Sequence, residues 1–117
     1  MPLQVAEVLY RVVQEALHNV ARHANATRVD ITLHCLPASV LLRVTDNGVG
    51  FDTSTPQSGL GLASMTERLM SVGGRLTVDS DLGRGTTVTA EVNLPERHGA
   101  ILAGVGAPQY HPDISLE

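Results

Sequence analysis

The chain has 117 residues, 43% hydrophobic but only 3% aromatic, and a formal net charge of −4. This length suits one domain with one core of Val, Leu, Ile and Ala, and the negative balance argues against nucleic acid as the main partner. All eight Lys+Arg positions are Arg, so neither a P-loop nor the strand lysine of Ser/Thr/Tyr protein kinases can be built.

The first predicted element is a helix over residues 5–24. Apolar pairs recur at Val8/Leu9, Val12/Val13, Ala16/Leu17 and Val20/Ala21, a helical period. Arg11, Glu15, Asn19 and Arg22 share the opposite face, spaced by three or four residues. An Asn carbonyl oxygen suits Mg²⁺, and a carboxylate one turn away can orient water or accept a proton. By themselves Glu15 and Asn19 read first as a solvated helix face. Asn25 is a stop signal.

Residues 29–35 alternate apolar and polar, as a half-buried strand does. Pro37-Ala38-Ser39 turns the chain into a second strand over 40–45, its hairpin partner. Cys35 is the single cysteine and excludes an internal disulfide, which fits a reducing, cytoplasmic setting. No apolar run approaches the roughly 20 residues of a membrane span, and no signal peptide is visible. His18 and His23 are five apart on the helix, so their side chains diverge, and no metal-ligand spacing involves the His and Cys residues.

Asp46 stands at the end of the second strand, ahead of Gly48 and Gly50. A carboxylate can accept a hydrogen bond from adenine's amine, and glycines admit backbone close to a base and sugar. Asp-Asn-Gly is also an ordinary turn sequence. Residues 51–58 (FDTSTPQS) form a polar loop with no cation. Gly59 and Gly61, with Leu60 and Leu62, open a second helix ending at Gly73-Gly74; its N-terminal amides can receive phosphate oxygens. A strand over 75–80, a turn over 81–85 and a strand over 87–94 follow, closed by Pro95. Thr86 reads by itself as a β-branched residue starting this strand, and it can also set a hydroxyl beside Asp46. The expected organisation is a domain over 1–95 and a weakly ordered tail or linker over 96–117.

These segments together resemble the ATP-binding domain of bacterial sensor histidine kinases, within the superfamily that holds gyrase-type topoisomerases, mismatch-repair ATPases and a heat-shock chaperone. Residues 14–24 (QEALHNVARHA) resemble its N box, 46–51 (DNGVGF) its G1 box, 59–62 (GLGL) its G2 box, and 83–86 (GRGT) its late Gly-x-Gly-Thr element. Met65-Thr66-Glu67-Arg68, Gly73-Gly74 and the short 51–58 loop are similar to the group that pairs with helix-turn-helix response regulators. The resemblance implies an α+β fold of Bergerat type, a two-layer α/β sandwich with helices on one face of a mixed sheet. It implies ATP and Mg²⁺ as cofactors, with Asn19 on the metal, Arg22 or His23 near the phosphates and Asp46 on adenine. Glu15 is the candidate catalytic residue.

The implied activity is transfer of the γ-phosphoryl of Mg-ATP to a histidine. The family carries that histidine on a separate helical dimerisation domain and passes the phosphoryl on to a response regulator. This chain is expected to be a monomeric ATP-binding module without an acceptor histidine of its own, cytoplasmic, with any membrane attachment in segments outside it. Two alternatives remain at this point: a serine kinase like the anti-sigma factors of the same superfamily, and a non-catalytic nucleotide-binding module.

Overall fold

The computed structural model describes residues 1–94, 109–110 and 113–115. The first helix, α1 (Leu3–Asn19), starts after Pro2, whose extended backbone and carbonyl receive the amides of Val5 and Ala6. Pro suits this entry because a helix start needs no N–H there. Val5, Leu9, Val12 and Ala16 form its buried stripe.

The helix expected to run to residue 24 changes character before that. Val20–Ala24 is a π-helical turn, ended by Asn25 in the left-handed conformation at φ 50°. Val20 and Ala24 remain buried, so the apolar stripe continues while the wider turn rotates the polar residues between them.

The sheet follows: β1 (Arg28–Cys35), β2 (Ser39–Asp46), β3 (Gly74–Asp81) and β4 (Gly85–Asn93), with helix α2 (Leu62–Met70) between β2 and β3. The strand order is β3-β4-β2-β1, and every pairing is antiparallel. The expectation of a mixed sheet is therefore corrected for the described strands. The crossover through α2 does bring β3 back in the same direction as β2. However, β4 lies between them and is antiparallel to both, so no parallel ladder forms. Of the tail over 96–117, two pieces are described, β5 (Gln109–Tyr110) and β6 (Asp113–Ser115), which pair antiparallel with β1. The rest of that expectation, and the role given to Pro95, lie outside the described residues.

Both helices pack on one sheet face. Val29 of β1, Val40, Leu42 and Val44 of β2, and Val88, Ala90 and Val92 of β4 meet the α1 stripe with Met65 and Leu69 of α2. Leu69 and Val12 are fully buried; burial of each contributes roughly 1.5–3 kcal/mol. The opposite face carries Thr45, Thr87 and Thr89, with a Thr45–Thr87 hydroxyl contact of 3.2 Å. No helix among the described residues is long and apolar enough to cross a membrane.

Candidate functional site

Sheet register builds one end of a cavity. Asp46 of β2 faces Thr86 of β4, which faces Ser80 of β3. One step deeper, Val44, Val88 and Val78 form the next row. Alternation along a strand brings residues two apart to the same side, so a polar row tops an apolar one beneath the helix layer. Between them and the π-helical turn lies a cavity of about 190 Å³. It exceeds the roughly 150 Å³ that accommodates benzene in an engineered core, so it has room for a flat ring. Ala16, Val20 and Ala24 roof it, while Phe51, Gln57 and Ser58 close one side.

Asp46 is only 9% exposed. Its Oδ1 accepts the Gly48 amide at 2.8 Å, and its other carboxylate oxygen takes no hydrogen bond from the described residues. This leaves an acceptor at the cavity end. The surrounding backbone is fixed by close approaches. The amide of Val49 donates to the Ala24 carbonyl at 2.7 Å, and that of Gly83 to the Val49 carbonyl at 2.7 Å. A Cβ at Gly48 would overlap the Ala24 carbonyl, and one at Gly50, where φ is 64°, the Asp81 carbonyl. Asn47 ties the segment to the start of β1, its Oδ1 accepting the amides of Thr27 and Arg28 at 3.0 Å each.

Asn19 lines the cavity from the last turn of α1. Its Nδ2 donates to the Leu60 carbonyl at 2.7 Å, which fixes the amide's orientation. Oδ1 is consequently buried with no partner. An unpaired buried carbonyl oxygen is costly, and a hard divalent cation is a suitable partner for it. Among the described residues no three His, Cys, Asp or Glu side chains gather into a metal cage. The chain thus fits a cation that takes one ligand from Asn19 and the others from water and a bound anion.

Of the residues singled out in the sequence, Asn19, His23, Asp46, Gly50, Leu60, Leu62 and Thr86 line this cavity. Arg22 is exposed and does not, whereas His23 does. The widened π-helical turn rotates Arg22 off the Asn19 face and retains His23. Glu15 faces an adjoining open groove with Arg11, His18 and Arg68. Its carboxylate lies over Gly61, the left-handed residue (φ 68°) before α2. A Cβ there would come within 2.5 Å of Oε1. Gly59, at φ 80°, has open space around it. Gly48 does not line the cavity; its missing side chain admits the π-helical turn.

Sequence reasoning did not single out Val44, Val78 and Val88, although two-residue alternation back from Asp46 and on from Thr86 marks two of them. Nor did it find Gln57, Ser58 or the folding of the 51–58 loop. Asp52 organises that loop: its Oδ1 accepts the Ser54 amide at 2.9 Å and hydroxyl at 2.7 Å, and its carbonyl accepts Gln57 Nε2 at 3.1 Å. The Ser54 hydroxyl and amide hold the Asp52 carboxyl below its ordinary pKa of 3.8.

Fold and cavity define a two-layer α+β domain whose pocket is lined by a carboxylate and by an amide whose oxygen has no partner. Residues 4–97 match the family described as Histidine kinase-, DNA gyrase B-, and HSP90-like ATPase, and the chain belongs to it. It is 39% identical over 95 residues to the oxygen sensor histidine kinase NreB of Staphylococcus carnosus (strain TM300), covering 80% of this chain and 27% of that protein. It is 41% identical over 97 residues to the sensor histidine kinase LiaS of Bacillus subtilis (strain 168), covering 81% of this chain and 27% of that one. The chain thus spans about a quarter of these relatives. The fold is also that of the histidine kinase domain from the Erythrobacter litoralis EL346 blue-light activated histidine kinase, at TM-score 0.67 and 24% identity over 80% of this chain and 46% of that one.

Proposed function

We propose that the chain binds Mg-ATP in this cavity and, as part of a longer cytoplasmic kinase, supplies the γ-phosphoryl for transfer to a histidine on a helical dimerisation domain, for relay to a response regulator. The observation that carries this reading is the cavity's pair of unsatisfied acceptors, one Asp46 carboxylate oxygen and the Asn19 amide oxygen. The first suits adenine's exocyclic amine and repels the carbonyl that guanine carries there. The second suits Mg²⁺, which when bound would neutralise phosphate charge that a chain of net charge −4 otherwise repels.

Placement supports the remaining roles in this reading. The base lies between the apolar row of the sheet and the roof of α1, and Leu60 and Leu62 close over the sugar. Phosphates leave toward His23 and the first turn of α2, whose free amides and helix dipole favour anions. Glu15, beside this exit and facing the open groove, is the group we assign to the acceptor's proton.

Calorimetry with ATP and GTP, each with and without Mg²⁺, tests the binding half; the expected order is Mg-ATP well ahead of Mg-GTP. Incubation with γ-labelled ATP and a histidine-bearing dimerisation domain tests the transfer half. Acid-labile phosphate on that domain is the expected product. Acid-stable phosphate would instead indicate a serine kinase, and binding without labelling a nucleotide-sensing module.

A further inference from the structure

Ser80 lies outside the cavity wall, yet it is 5% exposed and makes three hydrogen bonds. Its Oγ receives the Phe51 amide at 2.8 Å, donates to the Gly85 carbonyl at 3.1 Å, and contacts Thr86 Oγ1 at 2.7 Å. A serine hydroxyl has one proton and two lone pairs. The Gly85 carbonyl cannot donate, and the Phe51 amide cannot accept. Only one assignment makes all three bonds: Ser80 donates to Gly85, and Thr86 donates to Ser80.

We infer that Ser80 is a specificity-determining positioning residue: by taking the Thr86 proton, it makes the polar end of the cavity an acceptor-only wall. Thr86 then shows the cavity only lone pairs, beside the Asp46 carboxylate opposite it in register. At the ring position where adenine carries its amine, that wall welcomes the amine and rejects a carbonyl. Ser80 reaches the ligand only through Thr86, and the inference rests on the proposal that the cavity holds adenine.

The test compares ATP with inosine triphosphate, whose ring carries a carbonyl in place of adenine's amine, by calorimetry on the whole chain. Ser80→Ala frees the Thr86 hydroxyl to donate into the cavity. The preference for ATP should fall about tenfold, with the inosine nucleotide binding more tightly in absolute terms. Mere loosening of the fold would weaken both nucleotides together, and that outcome overturns the inference. In a Thr86→Val background, adding Ser80→Ala should leave the preference unchanged; a further drop would show that Ser80 acts without Thr86 and would equally overturn it. If Ser80→Ala does not fold, Ser80→Cys keeps the shape with a weaker hydrogen-bonding group and must show a smaller change of the same sign; no change refutes the inference. Wild-type chain that binds neither nucleotide would refute the adenine reading itself, a result separable from an unchanged preference in the variants.

Discussion

Asn19→Ala separates function from stability, and the structure sets both magnitudes. The substitution strands the part-buried Leu60 carbonyl without its donor, which costs roughly 1–3 kcal/mol. It also removes a buried oxygen with no partner, which relieves a desolvation penalty of roughly 1–3 kcal/mol. Alanine adds a few tenths of a kcal/mol in helix propensity. These effects nearly cancel, so the nucleotide-free melting midpoint should move by less than about 6 °C. Binding behaves differently. Losing an interaction with a charged partner costs roughly 1.5–3 kcal/mol, a ten- to 150-fold drop in Mg-dependent ATP affinity. Binding of metal-free ADP should change by no more than about threefold, since it lacks the cation that needs Oδ1. Calorimetry with Mg²⁺ and with a chelator, beside thermal melts, reads all three quantities. Asn19→Asp is the control: it keeps an oxygen for the cation but turns an acceptor on the Leu60 carbonyl, so it should recover Mg-dependence at the expense of stability. Equal affinity losses with and without Mg²⁺ would refute the metal role, and a melting midpoint lowered by more than about 15 °C would refute the cancellation.

Asp46→Asn keeps an oxygen for the Gly48 amide and points a donor into the cavity instead of an acceptor; ATP affinity should fall at least about tenfold while that of inosine triphosphate holds or rises, and parallel losses in calorimetry would count against base reading. Gly50→Ala places a Cβ against the Asp81 carbonyl at a left-handed φ and should abolish folding, whereas Gly59→Ala, equally left-handed but in open space, should cost only about 1–2 kcal/mol; denaturant titration distinguishes the two, and similar losses would contradict the geometry. The Asp52 carboxyl is held below 3.8 by Ser54, so this contact supports the loop above that pH and is lost as pH falls through the lowered value. Ser54→Ala should return the Asp52 titration, followed by NMR, toward its ordinary value, and an unmoved titration would refute the assignment.

Most of the elements were legible because their periods are clean. Val29 to Cys35 alternates, β4 buries Val88, Ala90 and Val92 at two-residue steps, and α1 buries its stripe at steps of three and four. Asp46, Asn19 and Thr86 were legible as site candidates because four ordered segments carry the family resemblance. What could not be read arises from tertiary contact. Nothing local marks the π-helical turn, which exchanges Arg22 for His23 at the cavity. The sheet order depends on β4 inserting beside β2, a long-range choice that no periodicity encodes. Gly48 and Gly50 were read as making room for a ligand, but they make room for other backbone, against the Ala24 and Asp81 carbonyls. Ser80 passed unnoticed because its role lies in the direction of a proton, which depends on three partners brought together by the fold.

The two unsatisfied acceptors sit in different layers: Asp46 on the sheet, Asn19 on the helix. A ligand that satisfies both spans the interface between layers, across a cavity whose walls, among the described residues, otherwise meet through apolar contacts and the crossover segment. Binding and cohesion of the domain are therefore linked. A ligand at one hundred times its dissociation constant stabilises the folded state by about 2.7 kcal/mol, comparable to fully burying one large apolar side chain. Part of the cavity's polar chemistry is consequently a stability reserve realised only on binding. On the proposed reading the same logic accounts for the Asn19–Leu60 hydrogen bond, which leaves Oδ1 unsatisfied while anchoring the crossover that covers the site: the free chain retains a penalty of roughly 1–3 kcal/mol that a bound cation would relieve.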